Sequence, residues 1–262
     1  MTNNCPVGIF DSGVGGLSVL QHIREILPAE HLYYVADSAH APYGNKSDAE
    51  IQHRSDAIAR FLLNKNIKAL VVACNTATAA AIAALRNDFD IPIIGMEPAI
   101  KPAALMTQSG VVGILATTGT LTSQKFAKLY QQYAIDVKII SQACPGLVEK
   151  VEIADLLGEQ TRSLVQKYVS SLLDQGADTL VLGCTHYPFL KSLIEEIAGD
   201  NISVIDTGGA VAKELMRQLG QANLLNLGSA LGEEHFWSSS SISHGAVHQL
   251  WNSKITINEL DI

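Results

Sequence analysis

Two short apolar runs, Ala69 to Ala73 and Thr179 to Gly183, constrain the fold of this chain more than any other feature. Neither alternates apolar with polar residues as a half-exposed strand would, and each is bounded by stretches with helical patterning. Such runs read as parallel strands covered on both faces. Each ends in a cysteine followed at once by hydrogen-bonding residues, Cys74-Asn75-Thr76 in the first and Cys184-Thr185-His186 in the second. Open parallel α/β sheets bind ligands beyond the carboxyl ends of their strands, so both thiols stand where chemistry is expected. Two thiols in equivalent positions of two half-molecules could face one ligand from opposite sides. That suits a reaction which treats the mirror-image faces of a carbon alike.

The rest of the chain alternates in the same way. Val7 to Phe10, Tyr33 to Ala36, Ala69 to Ala73 and Ile93 to Gly95 read as strands, with helices over Gly15 to Ile26, Ser47 to Leu63 and Thr76 to Arg86. A second set follows, with strands at Val111 to Leu115, Val137 to Ile140, Thr179 to Gly183 and Val204 to Asp206. Its helices lie near Leu121 to Tyr133, Gln160 to Leu173 and Pro188 to Ala198. This is a βαβ pattern. Gly8-Ile9-Phe10-Asp11-Ser12-Gly13 has a counterpart in Gly113-Ile114-Leu115-Ala116-Thr117-Thr118-Gly119, each a strand running into a small-residue turn. The expectation is an α/β fold of two pseudo-symmetric domains, each with a mostly parallel central sheet flanked by helices and with the active site in the cleft between them. Pro98 and Pro102 mark a first crossing between domains and Asp206 to Gly209 a second. Residues 1–96 plus 208–262 would then form the Cys74 domain and residues 97–207 the Cys184 domain. Ser238 to Ser241 reads as a loop.

A chain of 262 residues buries enough apolar surface to fold without disulfides. Its four cysteines, Cys5, Cys74, Cys144 and Cys184, show no C-x-x-C pair and no zinc-finger spacing, which argues against a metal or disulfide framework. The first basic residue is Arg24, so no secretory signal is expected. The longest weakly polar stretch, Ala69 to Leu85, is shorter than the ~20 apolar residues of a membrane span and carries Asn75, Thr76 and Thr78. A net charge of -8 argues against nucleic acid as a partner, because phosphate neutralisation wants clustered Lys and Arg.

The strand-end loops hold the polar chemistry. Asp11-Ser12-Gly13-Val14-Gly15-Gly16 offers exposed amides at a helix N-terminus, an anion cradle. Ser18 stands where a dinucleotide fingerprint starting at Gly13 needs glycine, and a carboxylate at the strand tip would repel a pyrophosphate. Asp11 fits an ammonium partner or an assisting base, or simply a turn residue. Ala36 to Gly44 supplies Tyr43 and Gly44 as hydrogen-bonding groups, or alternatively a plain Pro-Tyr-Gly turn. Asn75 and Thr76 can cap the helix after Cys74 or grip a carboxylate. His186, two residues beyond Cys184, can tune a thiol as Cys/His pairs do.

Taken in order, Asp11-Ser12-Gly13-Val14-Gly15-Gly16, Ala36-Asp37 with Pro42-Tyr43-Gly44, Ala73-Cys74-Asn75-Thr76-Ala77, Gly183-Cys184-Thr185-His186-Tyr187-Pro188 and Ile205-Asp206 resemble the bacterial glutamate racemases of the aspartate/glutamate racemase superfamily. The resemblance covers roughly residues 7 to 215. It implies a cytoplasmic, cofactor-independent isomerase that interconverts L- and D-glutamate for peptidoglycan synthesis, with no metal, and it implies a homodimer. By matching position, Cys74 and Cys184 are the catalytic thiols. Asp11, Ser12, Tyr43, Gly44, Asn75, Thr76, Thr185 and His186 hold the substrate, with Asp11 and His186 also serving the thiols. The resemblance also implies a second acidic assistant after Cys144-Pro145, where Glu152 has the matching spacing and Glu149 offers a competing register. The short N-terminus lacks the extension of family members that respond to a cell-wall precursor, so that regulation is not implied. The chain beyond about Gln221 matches the family poorly.

Racemisation removes an α-proton and returns one to the opposite face, so an acid and a base must flank one carbon. One cysteine must be thiolate while the other is thiol. An ordinary thiol titrates near pH ~8.5, so the base needs help from a helix N-terminus or a charged neighbour. Hydrogen bonds from Asn75, Thr76, Thr185 and the glycine-loop amides to the substrate carboxylate would ease the carbanionic intermediate. Three other readings keep parts of this pattern. They are another superfamily enzyme, such as an aspartate racemase or a one-cysteine carboxylate decarboxylase; a non-catalytic binding protein; and a dithiol redox protein, which would need its cysteine Cα atoms within about 7 Å.

Overall fold

The computed structural model describes residues 3–251 and 254–262. Its first half runs β1 (Val7–Asp11), α1 (Leu17–Ile26), β2 (Leu32–Ala36), α2 (Asp48–Leu63), β3 (Ala69–Val72), α3 (Asn75–Asp88) and β4 (Ile93–Ile94). Next come α4 (Ile100–Met106), β5 (Val111–Ala116), α5 (Thr118–Thr122), α6 (Gln124–Tyr133), β6 (Lys138–Ala143), α7 (Leu147–Glu152), α8 (Glu159–Leu173), β7 (Thr179–Leu182), α9 (Lys191–Ala198) and β8 (Ser203–Ile205). The chain closes with α10 (Gly208–Gln221), β9 (Glu234–Ser238), α11 (His244–Leu250) and β10 (Ile257–Glu259).

Two parallel sheets result, in the strand orders β10-β9-β2-β1-β3-β4 and β6-β5-β7-β8. Omitting the two C-terminal strands, the orders are the same, with each sheet's second strand outside its first and its third strand on the other side. The apolar runs that end in Cys74 and Cys184 are β3 and β7, the third strand of each set, and every residue of both is buried. Burial on both faces explains why neither run alternates.

Local chemistry sets the helix boundaries. Ser47 and Glu50 form a reciprocal capping box at the start of α2. The single helix expected over Leu121 to Tyr133 is two helices, because Ser123 is extended and its hydroxyl caps α6 by accepting the Phe126 N–H. The helix expected from Pro188 begins as a 3-10 turn, Tyr187–Leu190, which passes into α9. Ser238 is the last residue of β9 rather than loop, and Ser240 caps the short turn after it. The stretch beyond Gln221 widens the first sheet, where β9 pairs with β2 and the Trp237 ring packs 5.3 Å from Tyr33 and 5.6 Å from Phe61.

The largest apolar cluster runs through both halves, joining Val14 and Leu17 near β1 to Leu147, Val148 and Val151 of α7. At the opposite, amino-terminal edge of the first sheet, Lys68 and Glu30 are both fully buried and form an ion pair at 2.5 Å. The Lys68 ammonium also donates to the Asn3 carbonyl, and Glu30 accepts the Asn226 N–H at 2.8 Å. This buried pair ties four distant segments together, those of Asn3, Glu30, Lys68 and Asn226.

Candidate active site

The loops at the carboxyl ends of the two sheets meet around one narrow cavity. From the first sheet it is lined by Ser12, Tyr43, Gly44, Cys74, Asn75 and Thr76, and from the second by Thr117, Val148, Cys184, Thr185 and His186. Both strand-end cysteines are therefore in its wall, and none of the four cysteines is in a disulfide. The fold thus brings together nine of the eleven residues singled out in the sequence; the other two, Asp11 and Glu152, stand directly behind the wall.

The two thiols have different surroundings. Cys74 is the N-cap of α3, and its sulfur accepts the Ala77 N–H at 3.4 Å and lies 3.8 Å from the Ser12 hydroxyl. Burial and then the Asp11 carboxylate push this thiol well above its usual range. The expected helix N-terminus is lacking on the other side, where only the 3-10 turn follows Cys184. A histidine takes its place. His186 Nδ1 is 3.7 Å from the Cys184 sulfur, and Nε2 is 2.6 Å from Glu152 Oε1. Burial works against the charged ring, yet its hydrogen bonds to Cys184 and Glu152 outweigh that and hold the imidazole well above its usual value. The site therefore sets the His186 ring beside one thiol and the Asp11 carboxyl group behind the other. Glu152, at the end of α7, is the glutamate that meets His186; Glu149 lies one turn earlier on that helix.

The glycine loop serves a purpose other than the one expected of it. Its amides hold anions of the protein itself: Gly16 N–H donates to Asp11 Oδ2 at 2.5 Å and Val14 N–H to Glu152 Oε1 at 2.7 Å. Asp11 also accepts the Ser12 N–H at 2.6 Å and the Thr185 hydroxyl at 3.1 Å. Burial raises its pKa, with the His186 charge opposing and the Glu152 charge adding. Asp11 thus faces Cys74 from behind and does not line the cavity. Absence of side chains at residues 13 and 15 is what admits Glu152 and His186. A Cβ at residue 13 would stand 2.6 Å from the Glu152 carboxyl carbon, and one at residue 15 would stand 2.6 Å from His186 Cε1. Gly13→Ala is accordingly expected to lower kcat by about 10²-fold through displacement of the Glu152–His186 pair. Steady-state kinetics alongside a thermal melt check this, and a variant within about twofold of the parent would remove the need for that packing.

Asn75 is buried in the cavity wall, and neither its Oδ1 nor its Nδ2 has a hydrogen-bond partner. A buried amide normally has partners on both atoms, so this one is suited to a ligand that carries donor and acceptor close together, as an amino acid does. Tyr43 is turned the other way. Its phenol donates to Asp37 at 2.6 Å, and Arg54 holds Asp37 through contacts of 3.0 and 2.8 Å. Tyr43 therefore offers its ring and backbone to the cavity rather than a free O–H. Thr76 meets Thr117 at 3.0 Å and Thr120 at 3.1 Å, a cluster of hydroxyls joining the two halves. Thr117 and Thr120 are site residues that the sequence motifs do not single out, although the repeat sets Thr117 in the position of Ser12. Among the described residues no group of three or more His, Cys, Asp or Glu is placed to hold a metal ion.

A model of the Asp/Glu/hydantoin racemase family matches residues 7–215. The chain belongs to this family. The glutamate racemase of Ectopseudomonas mendocina is 57% identical over 241 residues, covering 92% of this chain and 91% of that protein. The crystal structure of glutamate racemase isoform RacE1 from Bacillus anthracis superposes with a TM-score of 0.89 at 33% identity, covering 99% of this chain and 98% of that one. That of the Francisella tularensis enzyme, in complex with D-glutamate, gives 0.85 at 29% identity, with 99% and 98% covered. Within the family, then, this fold is an α/β fold of two parallel sheets flanked by helices. Among the described residues no helix is long and apolar enough to cross a membrane.

Proposed function

We propose that this racemase-family protein interconverts L- and D-glutamate by two-base proton transfer, with Cys74 and Cys184 on opposite sides of the substrate α-carbon. The observation that supports it best is the single cavity walled by both strand-end thiols, one backed by Asp11 and the other by His186 and Glu152. A thiolate on one side takes the α-proton, and the opposing thiol delivers its own proton to the other face. The thiolate left behind then serves the reverse reaction. His186 stands beside the Cys184 sulfur, while Cys74, buried against Asp11, is set up to hold its proton. Asn75 and the Thr76 hydroxyl are the groups we assign to the substrate carboxylates, and the oxygen of Thr185, whose proton goes to Asp11, to the ammonium.

On this reading the catalytic and positioning groups are Cys74, Cys184, Asp11, His186 and Glu152, and no cofactor takes part. We place the domain boundaries where the chain leaves one sheet for the other, near residues 96 and 208. The product D-glutamate serves peptidoglycan synthesis in the cytoplasm, and the working form is a homodimer.

The test is solvent labelling. In D₂O, from either enantiomer and with no added cofactor, the newly formed antipode is expected to carry deuterium at the α-carbon while remaining substrate stays largely protiated at early times. Equal early labelling of both enantiomers would replace the two-base reading with a single exchanging base. Loss of activity on dialysis against a chelator, restored by metal, would end the cofactor-free reading.

A further inference from the structure

Glu152 lies on the second half of the molecule, yet two of the groups that hold it come from the first. Its Oε1 accepts the Val14 N–H at 2.7 Å, and its Oε2 accepts the Ser38 hydroxyl at 2.9 Å. Ser38 begins the short 3-10 turn after β2, next to Asp37. The two neighbours face different parts of the site, since Asp37 anchors Tyr43 while Ser38 reaches Glu152. Ser38 does not line the cavity.

We propose that Ser38 is a positioning residue for the Cys184 side of the reaction. It fixes the free oxygen of Glu152, so that the other oxygen meets His186 and His186 meets the Cys184 sulfur. A carboxylate held at only one oxygen can rotate about its Cγ–Cδ bond. Val14 and His186 both use Oε1, so neither prevents that rotation by engaging Oε2. Among the described residues, the Ser38 hydroxyl makes the one hydrogen bond to Oε2. Because it crosses between the halves, the relay from Glu152 to Cys184 is completed only when the loop after β2 is seated against α7. This inference rests on the two-cysteine reading above and adds to it a coupling between closure of the site and readiness of one thiol.

The experiment compares Ser38→Ala and Ser38→Thr with the parent enzyme, measuring kcat and KM for both enantiomers. It also measures the alkylation rates of Cys74 and Cys184 by iodoacetamide, resolved peptide by peptide. Ser38→Ala is expected to lower kcat about tenfold with KM changed by less than about twofold. It should change the alkylation rate of Cys184 severalfold relative to that of Cys74, and Ser38→Thr, which keeps the hydroxyl, should restore both. A wild-type kcat in Ser38→Ala would overturn the proposal. So would a rise in KM alone, which makes Ser38 a binding group, or equal changes at both cysteines, which make it a general structural residue. The labelling experiment on the parent enzyme tests the two-cysteine reading separately, so failure of one can be told from failure of the other.

Discussion

Replacement of either Cys74 or Cys184 by alanine is expected to lower racemisation by about 10³-fold or more, since each replacement removes the only acid or base on one face of the α-carbon. The fold should be unaffected, because a buried cysteine behaves as a small apolar residue and alanine removes little volume. A thermal melt and circular dichroism of both variants would verify that. Each variant keeps the thiol of one face, so slow exchange of the α-proton of one enantiomer with solvent, without inversion, is the expected residual activity. The enantiomer exchanged should differ between the two variants. Near-normal racemisation in Cys74→Ala or Cys184→Ala would remove that residue from the reaction.

The largest expected effect on stability lies far from the cavity. Lys68→Met leaves the Glu30 carboxylate buried without its cation, which costs about 3 to 5 kcal/mol. In a chain of this size that corresponds to a melting temperature lower by ~10 °C. The double replacement Glu30→Leu with Lys68→Met should cost less than Lys68→Met alone, because it leaves no unpaired charge inside. KM and kcat below the transition should stay near the parent values. A melting temperature within about one degree of the parent in Lys68→Met would show that water or a chain rearrangement readily compensates the carboxylate.

The contrast between these two predictions follows what the residue order could reveal. Cys74 and Cys184 were legible because a strand end is a local pattern: an uninterrupted apolar run, then polar residues. The helix stripe of α10 is also legible, with Val211, Ala212, Leu215 and Leu219 all buried on one side. The pairing of Lys68 with Glu30 carries no such trace, since nothing near either residue names the other. Ser38 meets Glu152 across the halves for the same reason unannounced. The use of the glycine loop illustrates a third case, in which the motif was visible and its occupant was not. Amides at a helix start announce an anion, but only the assembled fold shows that Asp11 and Glu152 supply it. Strand β9, Glu-His-Phe-Trp-Ser, has no apolar run at all; its place is fixed by backbone pairing to β2 and by the aromatic contacts of Trp237.

The strand order shared by the two sheets also bears on ancestry. Four strands arranged second, first, third, fourth, with a cysteine closing the third, occur once in each half. Duplication and fusion of one gene would leave this record, the ancestor being a short chain that worked as a symmetric pair with one thiol from each copy. In such a pair every change struck both faces of the substrate at once. Fusion would release the copies from that tie and let the two sides differ as they do here, with Asp11 behind one cysteine and a histidine and a glutamate behind the other.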